Sequence, residues 1–152
     1  MPEADLALLI AAAKIAGKIA LSHWKASPQV WEKPDGQGPV SAADLEVNVA
    51  LAAFLQAARP AYGWLSEETP DTEARLSTPA QFVLDPIDGT RSFLQGDSAF
   101  SHALAVVQNR QVTAGWFTCP RWISFMPPAP KGLPRSTALK SAPLPLRPLP
   151  AL

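Results

Sequence analysis

This sequence predicts an α+β fold in which helices are layered on a mostly antiparallel sheet. Apolar residues recur at helical spacing in two stretches before Pro60, strand-like runs follow after it, and two of those runs flank a two-residue turn. From Asp5 to about Trp24, Leu6, Leu9, Ile10, Ala13, Ala16, Gly17 and Ala20 recur three and four residues apart, which predicts an amphipathic helix. Ser27 to Pro39 carries three prolines and two glycines around Lys33 and predicts an irregular or extended connection. Ser41 with Asp44 three residues later forms a capping-box pattern. Val47, Leu51, Phe54 and Leu55 then mark the buried face of a second helix that ends at Pro60. Tyr62 to Ser66 and Gln81 to Leu84 are short apolar runs that lead straight into acidic residues, as expected of strands delivering side chains to a site at their ends. Ser101 to Val107 and Gln111 to Phe117 flank Asn109 and Arg110 and predict a hairpin.

At 152 residues the chain suits one domain, and 47% hydrophobic content suits a globular core. No apolar run is long enough to span a bilayer, and Glu3 and Asp5 precede Lys14 and Lys18, the wrong charge order for a secretion signal; the expectation is a cytoplasmic protein without membrane contact. Cys119 is the only cysteine, which excludes an internal disulfide and a cysteine-rich zinc site. Charge is distributed unevenly. Residues 1–97 hold all 13 acidic side chains and 7 basic ones, whereas the remaining 55 residues hold 6 basic and none acidic, together with 9 of the 17 prolines. The composition changes near Trp116. We therefore expect residues 1–115 to form the folded part and residues 116–152 to be a basic, proline-rich, disordered tail.

The chemistry-bearing residues are Trp64-Leu-Ser-Glu67-Glu68 and Phe82-Val-Leu-Asp85-Pro-Ile-Asp88-Gly-Thr-Arg-Ser-Phe93, with Asp44 upstream. Carboxylates crowded into one cleft repel each other unless a cation lies among them, and hard cations such as magnesium take oxygen ligands in octahedral geometry. Asp85 and Asp88 stand three apart with Pro86 restricting the chain between them, so a tight turn would aim both carboxylates and the Ile87 carbonyl at one point. Gly89 and Thr90 would let the backbone approach a phosphate. The same residues also suit an ordinary turn with capping aspartates. His23 and His102 join neither acidic cluster, and no Cys-His or Ser-His-Asp set stands out for nucleophilic catalysis. Trp24, Trp31 and Trp64 read as core or rim residues.

Phe82 to Phe93 resembles the signature of the inositol monophosphatase family, and the paired glutamates, Pro39-Val-Ser-Ala-Ala-Asp44 and Lys33 match that family too, over roughly residues 3–115. The resemblance implies magnesium-dependent hydrolysis of a small-molecule phosphate monoester by metal-activated water, with no covalent phosphoenzyme. It implies metal binding by Glu67, Asp85, the Ile87 carbonyl and Asp88. Asp44 would approach a more weakly held ion, and Thr90 and Glu67 would help activate water. Asp88, Gly89 and Thr90 would contact substrate, and Lys33 is a further candidate near the phosphate or metal. Inositol monophosphates and 3′(2′),5′-bisphosphate nucleotides are the substrates implied, and complete relatives are expected to be homodimers. Arg91, next to Thr90, would stand at the substrate rim and favour an extra phosphate.

The family's later tryptophan-aspartate motif has no counterpart: Ile123 and Ser124 follow Trp122, and no acidic residue follows Asp97, so the second metal site is expected to be incomplete. The codons from residue 116 onward, read one base earlier, permit VVYLPPVDLIYAAGAKGAAAVNG, which resembles the family's continuation; we expect a frameshift near Gly115. The competing expectation is a catalytically inactive fragment or a proline-rich interaction module, since Pro145-Leu-Arg-Pro148 has polyproline II spacing. With the second half missing, the apolar faces of Phe82, Leu84 and Val106 are expected to stay partly exposed. Six cations spread over 55 residues make no nucleic-acid platform.

Overall fold

The computed structural model describes residues 2–120, and the expectations for the tail from residue 121 onward lie outside the described residues. Helix α1 spans Pro2–His23 and places acidic Glu3 and Asp5 in its first turn, where they complement the positive end of the helix dipole. The expected irregular or extended connection is extended at both ends and pairs with itself as a small hairpin. β1, Val30–Glu32, pairs antiparallel with β2, Pro39–Ser41, around a 3₁₀ turn at Pro34–Gly36. Gly36 and Gly38, at φ of +71° and +95°, supply the left-handed residues that let this proline-rich stretch turn back on itself. Lys33 follows β1 directly.

Helix α2, Ala42–Ala58, starts with the capping box read from the sequence. The Ser41 N–H donates to Asp44 Oδ2 at 2.8 Å, the Ser41 hydroxyl donates to the same oxygen, and the Ser41 side chain accepts the Asp44 backbone N–H. The main sheet runs in the order β3 (Gly63–Ser66), β4 (Gln81–Asp88), β5 (Ser101–Gln108), β6 (Gln111–Thr118); β3 is parallel to β4 and the other pairs are antiparallel. Asn109 and Arg110, at φ of 51° and 62°, turn β5 into β6 with the left-handed pair that matches strand twist. β6 crosses the composition change at Trp116, pairing Trp116 with Leu104 and Thr118 with His102.

The helices cover one face of this sheet, so the architecture is α+β with helices on a mostly antiparallel sheet. Leu9, Ala12, Ala13, Ala16 and Ala20 of α1 and Val47, Leu51 and Leu55 of α2 are buried together with Phe82, Leu84, Leu104, Val106 and Ala114. The run of alanines on α1 lets the helix lie close to β5 and β6. Phe82, Leu84 and Val106 are only 0%, 5% and 1% exposed, which corrects the expectation that they lack cover. Strand parity explains the difference: these positions face the helices, while Val83, Asp85, Ala103, Ala105 and Phe117 line the opposite, open face. Among the described residues no helix is long and apolar enough to cross a membrane.

His102 is fully buried between α1 and β4. Its Nδ1–H donates to the Pro86 carbonyl, and Nε2 has no partner among the described residues. Burial holds the imidazole below its ordinary pKa, against the opposing hydrogen bond to Pro86. The neutral ring therefore contributes stability above the unfolded value of about 6.5, and that stability is lost as pH falls through the lower folded value. Urea unfolding at pH 7 and pH 5 should show a decline that His102→Asn, which keeps a donor without a titrating ring, flattens. An equal decline in both proteins would exclude His102 as its source.

Candidate active site

Parallel pairing of β3 with β4 brings two acidic segments to one edge of the sheet. Ser66 lies opposite Leu84, so Glu67 and Asp85, the next residue on each strand, emerge side by side, and the Glu67 N–H is anchored to the Leu84 carbonyl at 3.1 Å. Burial first, then the Glu67 carboxylate, with smaller contributions from Asp88 and Glu68, pushes the Asp85 carboxyl up to about 7. Asp85 Oδ1 is buried and has no hydrogen-bond partner among the described residues.

The tight turn expected between Asp85 and Asp88 is absent; β4 continues through both residues. They stand three positions apart, so a regular strand would send the two side chains to opposite faces. Pairing with β5 shifts between them, from Asp85 opposite Ala103 to Asp88 opposite Ser101, so three steps on β4 are matched by two on β5. This bulge restores parity, and Pro86, lacking an N–H, sits where the ladder is interrupted. Asp88 Oδ2 accepts the Ser101 hydroxyl at 3.1 Å.

Gly89 follows at φ +89°, capping the short helix α3, Thr90–Leu94. A Cβ at Gly89 would lie 2.9 Å from the Ala99 carbonyl oxygen, so both the left-handed backbone and the close approach require glycine. Thr90 is the link between segments: its hydroxyl lies 3.0 Å from Asp44 Oδ1 and 3.0 Å from the Ile87 carbonyl oxygen, either of which accepts its proton. Asp44 is fully buried, with one oxygen held by Ser41 and the other by Thr90. The side chain that caps α2 thus also holds the Thr90 hydroxyl.

Lys33, reaching in from the small hairpin, donates to Glu67 Oε1 at 2.6 Å and Glu68 Oε1 at 2.7 Å. Burial would lower the Lys33 pKa, but the two glutamates outweigh it and hold it above the ordinary value. Burial would likewise lift Glu67, but the hydrogen bond from Lys33 and the neighbouring Asp85 carboxyl keep it below its ordinary value; at Glu68 burial prevails over Lys33 and the pKa is raised. Glu68, whose side chain is only 5% exposed, was singled out as the glutamate paired with Glu67 but given no role of its own, and Ser101 was not singled out by pattern. Nothing in a serine 13 residues beyond Asp88 could have flagged Ser101. His23, at the far end of α1, pairs with Glu46 at 2.6 Å, away from these acids in contact. Burial and the Asp88 carboxylate push the Cys119 thiol up, away from the reactive thiolate.

The donor set fits a hard divalent cation. It consists of oxygens, and the orphaned Asp85 Oδ1 is a buried acceptor that a cation would satisfy. With Lys33 bound to Glu67 and Ser101 to Asp88, no three His, Cys, Asp or Glu side chains among the described residues are already gathered as a chelating group.

The chain is similar to several known proteins. A Streptomyces griseus protein named glucose-1-phosphate thymidylyltransferase is 33% identical over 156 residues, spanning 95% of this chain and 60% of that protein. An inositol-1-monophosphatase of Mesorhizobium japonicum is 38% identical over 76 residues, 50% of this chain and 28% of that one. The crystal structure of extragenic suppressor protein suhB from Bartonella henselae superposes with a TM-score of 0.70 at 28% identity, covering 77% of this chain and 45% of that chain. The chain therefore spans less than two thirds of each relative's length. The profile of the Inositol monophosphatase family matches residues 1–137, and the chain belongs to that family.

Proposed function

We propose that this chain carries the cation- and phosphate-binding half of a magnesium-dependent hydrolase acting on a small-molecule phosphate monoester in the cytoplasm. The observation that carries the reading is Asp85, a carboxyl with a buried, unpartnered oxygen, set beside Glu67 by strand pairing and crowded by the charges of Glu67, Asp88 and Glu68. Glu67, Asp85, the Ile87 carbonyl and Asp88 would hold the cation. When bound, magnesium would supply Lewis acidity toward phosphoryl oxygens and lower the pKa of a water molecule. The chain's own residues do the rest. Asp44 or the Ile87 carbonyl accepts a hydrogen bond from the Thr90 hydroxyl, which leaves the hydroxyl's lone pairs to accept a hydrogen bond from the attacking water. Glu67, held below its ordinary pKa, stays ionised and can receive a proton. Asp88, Gly89 and Thr90 would meet the phosphate, with Gly89 letting the backbone come close. Lys33 balances the acidic charge at the mouth.

Inositol monophosphates and 3′(2′),5′-bisphosphate nucleotides are the substrates to assay first. The competing reading, an inactive fragment or a proline-rich interaction module, rests on a tail whose residues from 121 onward lie outside the described residues. Phosphate release from inositol 1-phosphate and adenosine 3′,5′-bisphosphate should be measured with and without magnesium, on this chain and on the version read one base earlier from residue 116. Thr90→Val should lower kcat by about a hundredfold while changing KM little. Magnesium-independent release, or an unchanged rate in Thr90→Val, would overturn the assignment.

A further inference from the structure

Asn48 lies on α2 one helical turn beyond Asp44, so the two side chains leave the same face of the helix. It is 9% exposed. Its Oδ1 accepts the Ser66 hydroxyl at 2.7 Å, and its Nδ2 donates to Thr69 Oγ1 at 2.9 Å. Ser66 and Thr69 are the first and fourth residues of a turn closed by the Thr69 N–H donating to the Ser66 carbonyl at 3.2 Å. The two central residues of that turn are Glu67 and Glu68. One buried amide therefore spans the ends of the turn that presents both glutamates. The surrounding bonds extend the clamp: Ser66 Oγ accepts the Glu68 N–H at 3.4 Å, and the Trp64 indole N–H donates to Thr69 Oγ1 at 3.3 Å.

This arrangement needs a donor and an acceptor on one short planar group. Asp would offer no donor, and Leu, of similar size, offers neither. Because α2 is rigid, the spacing between Asp44, which holds Thr90, and Asn48, which holds the Glu67–Glu68 turn, is set at about 6 Å by helical rise. α2 thus acts as a ruler between two loops that meet only at the acidic cluster.

We propose that Asn48 is a positioning residue that fixes the Glu67–Glu68 turn against Asp85 and thereby sets the affinity for a divalent cation, without touching cation or substrate. The cation clause rests on the proposed function; the clamping of the turn stands without it. Two variants test it, Asn48→Leu and Thr69→Val, the second removing the clamp from its half-buried end should the first fail to fold. Amide hydrogen exchange of the chain alone should show Glu68 and Thr69 losing at least about tenfold protection relative to β5 in both variants. Leu51→Ala, which weakens the same helix through the core, should leave that ratio unchanged. Calorimetric titration with magnesium chloride should show affinity about 10- to 100-fold weaker in both clamp variants, as for other outer-layer partners of ligating groups. Retained relative protection in the clamp variants overturns the proposal. So does unchanged magnesium affinity in them while Asp85→Asn abolishes binding. If wild type and Asp85→Asn take up magnesium equally poorly, the cation reading has failed instead, and relative protection alone decides whether Asn48 positions the turn.

Discussion

Replacing Asp85 by Asn should raise the stability of the metal-free chain at pH 8 and, in the same protein, abolish stabilisation by magnesium. The two signs have one cause. Asp85 is pushed up to about 7 by burial and by Glu67, so its folded pKa lies above the unfolded value near 3.9. A group shifted in this direction contributes stability that is fully present below the unfolded value and is lost as pH rises through the folded one. At pH 8 the wild-type chain holds an ionised carboxylate beside others with one oxygen unpartnered, and the neutral amide relieves that strain. The melting midpoint should rise by about 2–4 °C for each kcal/mol relieved, and the gap between the two proteins should close toward pH 4. On the proposed function, magnesium would stabilise only the folded form of wild type and release the Asp85 proton on binding, so affinity should climb with pH until about 7. Asp85→Asn should lose affinity by at least about a hundredfold. Scanning calorimetry at pH 5, 7 and 8, with and without magnesium chloride, separates these outcomes. A variant less stable than wild type at pH 8 without metal, yet equally stabilised by magnesium, would show that Asp85 is a structural residue.

Phe82→Ala should cost about 3–5 kcal/mol of folding stability, the range for truncating a buried aromatic. Phe82 is 0% exposed at the centre of the face that α1 and α2 cover, with the Tyr62 ring centroid 5.3 Å away and that of Trp64 at 6.5 Å. Both neighbours are fixed by polar contacts, Tyr62 to Asp5 and Trp64 to Thr69, so the cavity left behind has little means of collapsing. Val112→Ala, at a position 68% exposed on the open edge strand, should stay within about 0.5 kcal/mol. Urea unfolding of both variants checks the contrast. Comparable losses in the two would mean that the helices do not form the cooperative core with β4.

Both expectations depend on strand parity, the property least legible from residue order. The expected order of helices before strands did not hold, because β1 and β2 precede α2, whereas helix α1, the capping box opening α2 and the Asn109–Arg110 turn followed from spacing and turn chemistry. These are local properties, decided by residues within a few positions of one another. The small hairpin carrying Lys33 was not legible, because prolines and glycines mask a three-residue strand whose partner supplies its hydrogen bonds. The continuation of β4 through Asp88 was also hidden: Asp-Pro-Ile-Asp-Gly has turn composition, and only pairing with β5 reveals that the chain bulges instead of turning.

By itself the sequence determined which side chains were available for chemistry: Asp44, Glu67, Asp85, Asp88 and Thr90, with Lys33 as the nearby cation and Gly89 as the residue allowing close backbone approach. Only tertiary structure decided what each of them does to the others. Parallel pairing of β3 with β4 set Glu67 against Asp85, the bulge returned Asp88 to the same side, and burial of Asp44 turned a helix cap into the anchor of Thr90. The physical reason is that ionisation and hydrogen bonding depend on distance and burial between residues up to 46 positions apart, whereas residue order sets only the menu of groups that can meet.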